Sequence, residues 1–149
     1  MSHQKLALGG MQIDEICVGM SASYSQTITD ADIKAFAGIS GDNNPVHMSD
    51  EYAEDSRFGK RIAHGLISAS FFSSLFGTRI PGPGCVYVSQ QLNFKKPVYI
   101  GDTVTASITV SKLDKTKNRV FFETVCKVKG KTVIDGSAEL YVPKPPKVI

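Results

Sequence analysis

The chain has little of what builds a membrane protein, a disulfide scaffold or a nucleic-acid binder. No run of about 18 or more apolar residues occurs, so no segment reads as a membrane-spanning helix. Met1 to Gly10 lacks both an apolar stretch and a small-residue cleavage site, and no secretory signal is expected there. Cysteine is limited to Cys17, Cys85 and Cys126, an odd and widely spaced set without CxxC, which reads as free thiols in a reducing compartment. Cytoplasm is the expected location. The histidines His3, His47 and His64 and these cysteines lack ligand spacing, so no metal is expected. The net charge of +3 is mild and the basic residues are scattered, which excludes the electrostatic footprint of a nucleic-acid binder and leaves room for a small anionic ligand. Neither a G-x-S-x-G elbow nor a phosphate-cradling or dinucleotide fingerprint is present; Gly82 and Gly84 sit in a proline-rich loop. There is no internal repeat.

What is there fits one domain over 1–149, with an ordinary apolar share of 42%. The region Ile13 to Thr27 predicts a first strand near Ser21 to Thr27. Thr29-Asp30-Ala31-Asp32 then offers a side-chain cap with acids in the first turn, and Ile33, Phe36, Ala37 and Ile39 form a stripe at helical spacing. Ser49-Asp50-Glu51 repeats the capping logic for a short helix to about Asp55. From Ile62 to Phe76, apolar and small residues occupy every face, which predicts a buried helix that Gly77 can end. Pro81-Gly82-Pro83-Gly84 is a loop, and strand periodicity follows. Val86, Val88, Leu92 and Phe94 mark one strand, while Val104, Ala106, Ile108 and Val110 alternate with Thr and Ser in a second that has one wet face. A hairpin across Gly130 and a proline-rich tail from Pro143 complete the chain. Helices first and four strands afterwards predict an α+β fold, an antiparallel sheet curled around a buried central helix.

The segment Phe36-Ala37-Gly38-Ile39-Ser40-Gly41-Asp42-Asn43-Asn44-Pro45-Val46-His47 carries the chemistry. The turn-formers from Gly41 to Pro45 stop the helix and bend the chain, so Asp42 and His47 can point into one cleft and hold a water. Pro45 fixes the backbone dihedral that lets His47 return there. Alone, such an aspartate would be read as bonding its own turn and the histidine as half-buried surface. The pattern around them decides otherwise. Phe36, Ser40, Gly41, Asp42, Asn44, Pro45, Val46, His47 and Ala53 fill without a gap the signature of the (R)-specific enoyl-CoA hydratases, the MaoC-like dehydratases, which this chain resembles. Ile62-Ala63-His64-Gly65, the Pro-Gly loop and Leu92 to Asp102 also look like later segments of that family.

The resemblance implies a hot-dog fold and syn addition of water to a trans-2-enoyl thioester, with Asp42 and His47 as catalytic pair and the backbone N–H of Gly65 as oxyanion donor. Gly65 opens the apolar helix, where free N–H groups face outward and the missing Cβ lets a carbonyl approach. Asn44 ties down the turn. Ser73 matches a family serine that borders the pair, although a helical serine more often bonds the carbonyl one turn back. His64 reads as structural. Phe58, Phe71, Phe72, Phe76 and Tyr87 are candidates for an acyl pocket. Lys60-Arg61 and Lys95-Lys96 are of the right charge for coenzyme A phosphates, but paired lysines are usually solvated and neither pair is assigned. Coenzyme A would be part of the substrate, and no cofactor is implied. The same pair would serve dehydration on acyl carrier protein, and a hot-dog subunit that only binds acyl thioesters is the alternative from another class. Covering an open sheet edge favours a homodimer.

Overall fold

The structure, a computed structural model, describes residues 9–145. The start of the chain, read as free of a signal, and the last part of the proline-rich tail lie outside the described residues. After a single 3₁₀ turn at Ile13–Glu15 come β1 (Ser21–Thr27), α1 (Asp30–Ser40), α2 (Pro45–Met48), α3 (Asp50–Glu54) and α4 (Gly65–Thr78). The chain continues with β2 (Val86–Phe94), β3 (Thr103–Asp114), β4 (Arg119–Val128) and β5 (Lys131–Tyr141). All pairings are antiparallel, in the order β1-β3-β4-β5-β2.

Local chemistry explains most boundaries. Thr29 Oγ1 accepts from the Asp32 N–H at 3.2 Å and Asp32 returns the bond to the Thr29 N–H at 2.9 Å, which starts α1 with a reciprocal cap. Gly41 ends it in the left-handed region at φ 77°. Ser49 caps α3 through the Tyr52 N–H. In β3, Val104, Ala106, Ile108 and Val110 are buried, and the opposite face pairs hydroxyls across to β1: Ser23 with Ser107, Ser25 with Thr105, Thr27 with Thr103.

The sheet curls over α4, whose Phe72, Leu75 and Phe76 are almost wholly buried. Phe76 meets Phe122 of β4 edge-on at 4.7 Å, and Phe71 meets Tyr24 of β1 at 5.3 Å. Two expectations need correction. The apolar stretch that begins at Ile62 becomes helical only at Gly65, because Ile62 pairs with Tyr99 as an antiparallel bridge and His64 is extended at ψ 131°, and the helix runs through Gly77 to Thr78. It is also not buried all round: Leu66, Ser70, Ser73 and Ser74 are exposed. Edge strand β2 is open too, with Val86, Tyr87, Val88 and Phe94 between 39% and 55% exposed. Its register slips between Tyr87 and Ser89, a bulge at Val88 that breaks the expected alternation. Among the described residues no helix is long and apolar enough to cross a membrane.

Candidate active site

The turn after α1 is built from its own side chains. Ser40 Oγ donates back to the Phe36 carbonyl at 2.6 Å and accepts the Asp42 N–H at 3.1 Å. Asp42 Oδ1 accepts the Asn44 N–H at 3.1 Å, and Asn44 Oδ1 accepts the Val46 N–H at 3.2 Å. Asn44 is thus the cap of α2, with Pro45 in its first turn. Asp42 does take the turn-residue role with Oδ1, yet it is exposed, and among the described residues Oδ2 has no partner.

His47, on the single turn of α2, is buried. Its Nδ1–H donates to the Ile62 carbonyl at 2.7 Å, since a carbonyl can only accept. That fixes the tautomer and leaves the Nε2 lone pair for chemistry. Burial holds the ring below the ordinary histidine value of 6.5, with help from the like charge of His64 and against the Ile62 bond and Asp42, so at neutral pH the ring is a neutral base.

Arg61 staples this arrangement. Its guanidinium reaches Asp30 of α1 at 2.7 Å and Asp50 of α3 at 2.8 Å, and donates to the His47 carbonyl of α2 at 3.2 Å. It is therefore occupied with the protein and not with a ligand. The segment 61–65 then enters α4 alongside Val98, so residues from either end of the fold meet in one cleft of about 410 Å³. Asp42, His47, His64, Gly65, Phe36 and Phe58 line it, with Arg57, Lys95 and Lys96 supplying positive charge.

Gly65 stands first in α4, and the His64 side chain makes no capping bond; the Ile67 N–H goes to the His64 carbonyl at 3.1 Å, while Gly65 and Leu66, ahead of it, line the cleft. A Cβ on Gly65 would lie 2.5 Å from the Phe94 ring. Ser73 is not brought to the pair. It is exposed in a separate groove with Tyr87 and Leu92, two turns along α4. Of the five aromatics read as an acyl pocket, Phe58 alone lines the cleft, while Phe71, Phe72 and Phe76 pack in the core.

His64, read from the sequence as structural and without a partner, finds one in the fold. Its Nε2–H donates to the Asp42 carbonyl at 2.9 Å, and its ring lies 4.0 Å from that of His47 and 4.7 Å from that of Phe36. Ligand-type atoms of Asp42, His47 and His64 fall within 4.8 Å of one another. These are donor types a divalent cation accepts, while His47 Nδ1 and His64 Nε2 are each already engaged with a backbone carbonyl.

An antiparallel sheet curled on one long helix, with an aspartate and a histidine overhanging that helix's first turn, defines a hot-dog domain of the hydratase kind. The chain belongs to the MaoC-like family: the family model described as MaoC like domain matches residues 16–136. It is 52% identical over 130 residues to the (R)-specific enoyl-CoA hydratase of Rhodospirillum rubrum, covering 87% of this chain and 90% of that one. It is 42% identical over 134 residues to a 3-hydroxybutyryl-CoA dehydratase of Methylorubrum extorquens, covering 90% and 85%. The solved (R)-hydratase of A. caviae, involved in PHA biosynthesis, superposes with a TM-score of 0.84 at 36% identity, over 86% of this chain and 98% of that one.

Proposed function

We propose that this protein is a hydro-lyase that adds water reversibly across the double bond of a trans-2-enoyl-CoA and yields the (R)-3-hydroxyacyl-CoA. The observation that carries the reading is the meeting of Asp42 and His47 at one cleft, a carboxylate oxygen of the first and a ring nitrogen of the second lying no more than 4.8 Å apart. A water that donates both hydrogens at ordinary hydrogen-bond lengths and near-tetrahedral angle spans about 4.5 Å between its acceptors. Its oxygen lone pair is then turned toward the substrate.

The step balances with one water. Its oxygen bonds to C3 while an O–H bond breaks and the proton passes to His47 Nε2. The C2=C3 electron pair shifts to the thioester oxygen, where the Gly65 N–H stabilises the charge. The imidazolium then returns the proton to C2 on the same face, which makes the addition syn and restores the neutral ring. Asp42 holds the water and stabilises the passing positive charge. Coenzyme A is part of the substrate, its phosphates matched by Arg57 and Lys96, Lys95 being paired with Asp135 at 3.2 Å, and the scheme calls for no cofactor. Free thiols at Cys17, Cys85 and Cys126 suit the cytoplasm.

Loss of the conjugated enoyl absorbance with purified protein tests the reading. Turnover on the CoA thioester supports it; turnover confined to acyl carrier protein thioesters changes the carrier, and binding without turnover makes the domain a binding module. The pH dependence is a second check. Protonating His47 removes the base, and its proton affinity is depressed by burial, so kcat/KM should stay level through neutrality and fall only below pH 6.5. An acid limb above that value would show that another group sets it.

We further read the protein as a homodimer. Val86, Tyr87 and Val88 on β2 and Leu66 on α4 leave an apolar, unpaired edge in the single chain, a feature that natural sheets cover. Ser73 lies on that same face. Sedimentation at micromolar concentration is expected to give a dimer mass; an active monomer would overturn this.

A further inference from the structure

We propose that His64 is a positioning residue for the hydration step, holding Asp42 by its backbone and His47 by its ring so that both face the same water. The inference rests on the dyad reading above and assigns a role within it. His64 sits at the cap of α4 but gives that helix no cap; its Nε2–H goes to the Asp42 carbonyl instead, at 2.9 Å. The bond ties the turn carrying the carboxylate to the helix whose first N–H groups face the cleft. The ring meanwhile lies on His47 at 4.0 Å and on Phe36 at 4.7 Å. His47 is therefore set along one ring edge by the Ile62 carbonyl and on its face by His64.

A purely structural histidine would not be left this way. His64 is 3% exposed, and its Nδ1 is buried without a hydrogen-bond partner. Leaving such an atom unpaired is destabilising, and a glutamine could make the bond to Asp42. What a glutamine cannot supply is the flat face against His47. That face also keeps water off the His47 ring. The ionisable groups around His47 are Asp42 on the turn, His64 before α4, Arg57, Lys95 and Lys96 lining the same cleft, and Arg61, which bonds the His47 carbonyl while paired to Asp30 and Asp50. Of these, removing His64 takes away both shielding and like charge, so it should raise the His47 proton affinity.

The test compares His64→Ala and His64→Gln by nitrogen-15 NMR titration of His47 and by steady-state kinetics across pH. His64→Ala is expected to lose about 10²-fold in kcat with little change in KM, the scale of an ångström of misplacement. His64→Gln should regain part of kcat through the retained bond to Asp42. In both variants the His47 titration and the acid limb of kcat/KM should move upward, toward the ordinary histidine value. Should His64→Ala fail to fold, the glutamine variant decides alone. A His47 titration unmoved in the folded variants, or parental kcat in His64→Ala, would overturn the proposal. The NMR arm reads His47 directly, so it separates this inference from the dyad: turnover surviving in His47→Ala would sink the dyad, whatever the titrations show.

Discussion

Asp42→Asn and His47→Ala should each lose at least about 10²-fold in hydration rate, within the 10² to 10⁴ that a positioned proton-transfer group contributes. The double variant should be little worse than the poorer single one. Both side chains act on one water, and once it is misplaced the second acceptor has nothing left to hold, so the losses do not multiply. The asparagine is a fair test because its Oδ1 can still accept the Asn44 N–H bond that Asp42 makes at 3.1 Å, which leaves the turn intact. His47→Ala strands the Ile62 carbonyl and is expected to lower Tm as well, by the equivalent of about 1–3 kcal/mol. Calorimetry with a saturated acyl-CoA should still register binding to both, because the basic mouth and the helix start are unchanged. Near-parental turnover in either single variant, or multiplicative losses in the double, would mean that the turn serves structure alone.

Features encoded by neighbouring residues were legible before the structure, and those that depend on distant pairings were not. β1, the Thr29 cap, the Gly41 stop and the Ser49 cap are each written within a few residues, and each stands where the sequence reading put it. The alternation of β3 likewise reports its own buried face. By contrast, nothing local says that β2 pairs with β5 at the edge rather than with β3, its successor. The exposure of Val86 and Val88 follows from that edge position and from a bulge, neither of which a period of two reveals. In α4 the apolar residues surround the helix, so its phase could not be read, and Ser73 falls on the open face while Ser68 falls inside. His64 was opaque for a related reason. Its partner is a backbone carbonyl 22 positions earlier, and a backbone acceptor leaves no mark in a sequence. Arg61 was ambiguous in the same sense: a surface basic pair until the fold brought Asp30 and Asp50 to it.

Gly65→Val should cost about 10² to 10³ in kcat, the range for losing one oxyanion donor, while lowering Tm by less than a core substitution would. The backbone N–H remains in the variant, so the loss must come from approach: a branched side chain at the first residue of α4 occupies the space where the thioester oxygen meets that N–H. The fold has one competing explanation to offer. A Cβ at this position comes within 2.5 Å of the Phe94 ring, so some disturbance could arise simply from pushing that ring aside. Phe94 is 55% exposed on edge strand β2, so its ring has room to swing and the clash is the cheaper kind. Pairing Gly65→Ala with Phe94→Ala separates the two causes. The second substitution removes the clash and should return Tm toward that of Phe94→Ala alone, but turnover should stay low if the new Cβ stands in the carbonyl's path. Recovery of turnover together with Tm would show that Gly65 is needed only to seat Phe94, and that the charge on the thioester oxygen is met elsewhere in the cleft.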